Sequence, residues 1–149
     1  MTDTAVWIRS LTDHEPSSAT WRSVDGSRCR TSQGMFAEWA AALGFPGYFR
    51  CNWDAFYDCL RDVVSRAGTT GGAPAPATVV VREAGALLAD EPAALGVFMG
   101  ILAGHADVAA ADGEPALLLL LDDAPEQLSD LGRRLAAVGL VTELLAPDA

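Results

Sequence analysis

Apolar positions recur along residues 33–43 at Phe36, Trp39, Ala40 and Leu43, the three- and four-residue spacing of one helix face. Thr31 or Ser32 can cap a helix from about Gln33 to Leu43, and Gly44 supplies its stop. A second helix is expected from Trp53 to about Ala67, with Asn52 as its cap. At about 100° per residue, Trp53, Phe56, Leu60, Val63, Val64 and Ala67 share one side of it. Asp54, Asp58, Arg61, Asp62 and Ser65 fall on the other side, with Tyr57 at the border. Three segments read as strands. TWRSV (20–24) stops at the Asp25-Gly26 turn, ATVVVR (77–82) is β-branched, and ALLLLL (116–121) is continuously apolar, as befits a strand buried on both faces. AVWI (5–8) and LVTELL (140–145) are further short strand candidates. Asp90 is expected to cap a helix with Pro92 in its first turn, continuing through Leu95, Phe98, Met99 and Leu102. Pro125 opens a last helix to Val138, while HEPSSA (14–19) and GTTGGAPAP (68–76) read as loop and link.

Strands alternating with helices predict an α/β layer fold with a small, mostly parallel sheet of three to four strands flanked by helices. A chain of 149 residues, half of them hydrophobic, suits one domain with a real core.

Charge narrows the function. There are 20 acids against 10 bases, all arginine, for a net charge of −10. Nucleic acid is disfavoured as a partner, because phosphate binding needs a basic surface; a basic protein is not. The excess is uneven. Residues 1–72 hold eight acids and seven arginines, residues 73–149 twelve acids and three arginines, so the second helix lies in the nearly neutral half. Cys29, Cys51 and Cys59 form no disulfide framework, and Cys29, between two arginines, is expected to point inward. With His14 and His105 they show no metal-ligand spacing, so neither metal nor cofactor is expected. The N-terminal residues lack a signal-peptide pattern, and the longest apolar run is too short to span a bilayer. The expectation is a cytoplasmic protein with reduced thiols and no membrane partner.

The stretch FPGYFRCNWDAFYDCL (45–60) poses the functional question. Asp54 and Asp58 stand four apart, where like charges repel by about 0.2–0.5 kcal/mol in an isolated helix. A solvated helix face is the commoner explanation. Yet Tyr48, Phe49, Trp53, Phe56 and Tyr57 cannot all point inward from one loop and one short helix. Aspartate is depleted at interfaces, so a binding face here requires a partner rich in arginine or other cations. Paired carboxylates can also serve as general acid and base, but no second catalytic cluster accompanies them, and no enzyme activity is expected.

The order of helix, G-F-P-x-Y-F and N-W-D-A-F-Y-D-C-L resembles barstar and the barstar-like ribonuclease inhibitors. Leu43, Pro46, Tyr48, Phe49, Asn52, Trp53, Asp54, Ala55, Phe56, Tyr57, Asp58 and Leu60 match, and the similarity covers roughly residues 20–121. It implies one barstar-like domain over 19–149 with an added C-terminal helix and strand, preceded by an N-terminal extension over 1–18. It also implies inhibition of a basic, secreted guanyl-type ribonuclease before export, with the loop and second helix plugging the nuclease active site. Asp58 takes the position of the carboxylate that enters the cationic phosphate pocket, and Asp54 the supporting one. Tyr48, Asn52, Trp53, Tyr57, Arg61 and Asp62 fall at positions lining the interface. Two differences stand out: Arg50 replaces a usual glycine, and Gly100 falls where some members carry an acid. An immunity protein against another toxin, or a non-inhibitory interaction module, would share these features.

Overall fold

A computed structural model of the protein describes residues 7–10, 22–45, 52–69, 77–108 and 117–140, excluding the side chains of 66–69 and 106–108. Its strands are β1 (Ile8–Ser10), β2 (Arg22–Asp25), β3 (Ala77–Arg82) and β4 (Leu117–Asp122). Its helices are α1 (Ser32–Leu43), α2 (Trp53–Thr69), α3 (Ala94–Val108) and α4 (Pro125–Ala137), with 3-10 turns at Gly26–Arg28 and Ala84–Ala86.

All the pairings are parallel, in the order β1-β4-β3-β2. The two apolar runs lie side by side at the centre, with Val79 opposite Leu119 and Val81 opposite Leu121. Val79, Val81, Leu117, Leu119 and Leu121 face the main core, whereas Val80 and Leu120 point to the other face. Those two are also fully buried, which is why neither strand alternates with polar residues. The edges are shorter and more polar: β2 exposes Arg22 and Ser23, and β1 reaches only three residues.

The strand expected at 5–8 is β1, displaced toward the C-terminus, where Ile8 pairs with Leu119. The helix expected from Asp90 begins later, at Ala94. Asp90 does not cap it, because its carboxylate is engaged by Arg30 through Nε at 3.1 Å and a terminal nitrogen at 2.9 Å. Its backbone N–H donates to the Arg30 carbonyl at 2.9 Å, and Pro92 lies in the turn before the helix. Thr31 does cap α1, accepting from Gly34 N–H at 3.1 Å, and Gly44 ends that helix at φ 69°. The strand expected at 140–145 lies outside the described residues, apart from Leu140.

Aromatic rings knit the helices together. Trp39 of α1 stands edge-on to Phe56 of α2 (5.8 Å) and to Phe98 of α3 (5.2 Å). Phe36 meets Trp53 at 4.8 Å, and Phe45 meets Phe56 at 5.9 Å. Such pairs contribute about 0.5–1.5 kcal/mol each beyond the area they bury. They orient α2 by clamping its aromatic side inward.

Candidate partner-binding face of the second helix

Helix α2 starts where Asn52 accepts from Ala55 N–H at 2.8 Å with its side chain and from Phe56 N–H at 3.0 Å with its carbonyl. The side-chain bond satisfies a donor the helix start leaves open, and the carbonyl accepts the first bond of the helix. Asp54 follows in the first turn, where the helix dipole favours a carboxylate. Phe56, Cys59, Leu60 and Val64 are buried, and Trp53 and Val63 are half-buried against the core. The side chain of Ala67, expected on this side, lies outside the described residues.

The other side is polar and open. Asp54, Asp58, Arg61, Asp62 and Ser65 are exposed, with Tyr57 at 41%. Asp54, Asp58 and Asp62 repeat every four residues and therefore form one acidic stripe. Arg61 reaches Asp58 at 3.4 Å, with 59% and 65% of their side chains accessible. A pair so exposed contributes little to stability, and it leaves Asp58 available to a stronger cationic partner.

The face thus brings together seven of the eight residues singled out from the sequence, while Tyr48 lies outside the described residues, as does Arg50. Trp53 serves two sides. Its ring packs on Phe36 and, at 6.0 and 6.2 Å, on Phe56 and Phe98, so only part of it is left to the surface. Just beneath the stripe, burial and then the carboxylates of Asp62 and Asp58 raise the pKa of the Cys59 thiol, keeping it protonated and poorly nucleophilic.

His105 joins this face without any warning in the sequence. Read from spacing alone, it is a histidine near a helix end that favours the dipole there. In the fold it is buried, its Nε2 lies 3.0 Å from the Tyr57 carbonyl, and its ring lies 4.5 Å from the Tyr57 ring. Burial lowers its pKa below the ordinary histidine value, against the opposing pull of the Tyr57 carbonyl. The contact spans 48 residues of chain, which no local periodicity encodes.

Among the described residues, no three His, Cys, Asp or Glu side chains converge as metal ligands, and no helix is long and apolar enough to cross a membrane. A search of curated proteins found no match to the chain. The model of the barstar family, described as barstar (barnase inhibitor), matches residues 19–138, from before β2 through the end of α4. The match takes in α4, and β1 precedes it. A match over most of the chain, on the fold just described, makes this protein a member of the barstar family.

Proposed function

We propose that the protein inhibits a guanyl-type ribonuclease by docking the exposed side of α2 in the nuclease active site. The observation that carries this reading is the acidic stripe of Asp54, Asp58 and Asp62 beside the exposed Tyr57, on a helix whose opposite side is locked into the core. A ribonuclease site gathers cations to hold phosphates. Asp58 imitates a phosphate there, with Asp54 supporting it and Arg61 yielding its weak hold. Tyr48, Asn52, Trp53 and Tyr57 supply contacts around the carboxylates, and Asp62 lies toward the rim. The partner is basic and secreted, and the inhibitor acts in the cytoplasm before export. The protein itself catalyses nothing.

The test is titration of the protein against barnase while RNA hydrolysis is followed. Stoichiometric inhibition is expected. Asp58→Ala should weaken binding by about 2–5 kcal/mol, a general range for truncating one member of a desolvated charge pair that barnase and barstar themselves exemplify. The loss should appear mainly as faster dissociation. Thermal stability should hardly change, since alanine suits an exposed helix position. Undiminished inhibition by Asp58→Ala would sink the phosphate-mimic mechanism. Failure to inhibit barnase and other guanyl-type ribonucleases, with protection against a DNase toxin instead, would favour an immunity protein.

A further inference from the structure

His105 holds Tyr57 at two points. Its Nε2 faces the Tyr57 carbonyl at 3.0 Å, and a carbonyl oxygen only accepts, so that nitrogen carries the proton. Its ring lies against the phenol, with centroids 4.5 Å apart and planes inclined by 40°. His105 is only 6% exposed, whereas Tyr57 is 41% exposed and immediately precedes Asp58. One residue of α3 thus grips both the backbone and the side chain of a residue on the acidic face of α2. A tyrosine on an open helix surface would otherwise sample several rotamers, and a partner would have to immobilise it on binding. Stacking on a fixed imidazole removes that freedom beforehand.

We propose that His105 is a positioning residue for the partner-binding face, holding the Tyr57 phenol beside Asp58 in the orientation an incoming ribonuclease meets. This rests on the reading of α2 as the inhibitory face. The imidazole never touches the partner; it acts through Tyr57. The ring contact carries the effect on the phenol, and the Nε2–H bond fixes the backbone that bears it.

Barnase inhibition by His105→Ala, His105→Phe, Tyr57→Ala and the double variant Tyr57→Ala/His105→Ala provides the test, at a temperature where each is folded. His105→Ala should weaken inhibition between about threefold and tenfold, the scale of one aromatic contact. His105→Phe keeps a ring under the phenol and should recover most of the loss. The double variant should inhibit no worse than Tyr57→Ala alone, because the phenol that His105 orients is already gone. In the free protein, nitrogen NMR should show the Nε2–H tautomer, and proton contacts should join the two rings. A double variant weaker by the product of the single losses would overturn the positioning role, as would wild-type inhibition by His105→Ala. Missing ring contacts in the free protein would overturn it independently of any nuclease. Wild-type inhibition by both Asp58→Ala and Tyr57→Ala would instead bring down the interface itself.

Discussion

A methyl group added to Gly26 would sit 2.5 Å from the carbonyl oxygens of both Arg82 and Glu83. These are backbone atoms at the end of the neighbouring strand, and they cannot swing away as a flexible side chain would. Gly26→Ala should therefore destabilise the protein by about 1–3 kcal/mol, read as a lower urea midpoint with unchanged slope. An unchanged midpoint would mean that the Asp25-Gly26 turn gives way freely. A few positions on, Cys29 is fully buried, with its Sγ 3.4 Å from the Asp25 carbonyl. Burial, and then the nearby Glu38 and Asp25 carboxylates, lift its pKa from 9.0 to about 12. Between those values the unfolded chain has lost a proton that the folded one retains. This contribution is thus fully present below pH 9.0 and is lost progressively as pH rises toward about 12. Cys29→Ala should flatten that alkaline decline in denaturation midpoints measured across the range. The inward cysteine was legible from its two flanking arginines. The role of Asp90 was not, because its bidentate partner Arg30 lies 60 residues away.

At the scale of elements, α2 was readable almost residue by residue, since cap, periodicity and polar side are all local. Asn52 is the point at which that reading can be broken. Asn52→Ala removes the bond to Ala55 N–H and should cost about 1 kcal/mol in chemical denaturation. Asn52→Asp or Asn52→Ser should retain most of the stability; if alanine does as well, the cap is not what starts this helix. The central strands were equally plain, because buried parallel strands need continuous apolar runs. The start of α3 was not plain. Asp90 followed by Pro92 has the outward form of a helix entrance, yet Leu88, Asp90 and Glu91 are spent on joining the α1 region. Leu88 N–H donates to the Cys29 carbonyl at 2.6 Å, and Glu91 accepts from both the N–H and the hydroxyl of Ser32 at 3.0 Å. The His105 grip escaped sequence reasoning for the same reason: it depends on how two helices meet, not on either helix by itself.

For the molecule as a whole, a net charge of −10 should steer it toward a basic partner. Raising salt should slow association with such a nuclease by about an order of magnitude while changing dissociation less. Asp62→Ala should reduce that salt dependence more than it raises the dissociation rate, and stopped-flow association at several ionic strengths separates the two effects. The architecture agrees with a protein partner. Open parallel sheets usually take small ligands at the carboxyl ends of their strands. At the ends of β3 and β4 the chain itself fills that place: Arg82 pairs with Asp122 at 2.9 Å, Asp123 accepts from Gly85 N–H at 2.8 Å, and Arg134 donates to the Gly85 and Leu87 carbonyls at 2.8 and 2.9 Å. The side of α2 proposed for recognition is exposed and acidic, a surface suited to a basic protein. The strand order carries one more consequence, for the timing of synthesis. β1 is translated first, yet among the described residues its neighbour in the sheet is β4, so the chain must be made through β4 before Ile8 finds Leu119. Until then β1 has no β4 to pair with and β3 lacks its β4 neighbour, so a newly made chain can present those edges to another. Crowded polysomes would favour such exchange, and dilution or slower translation would suppress it.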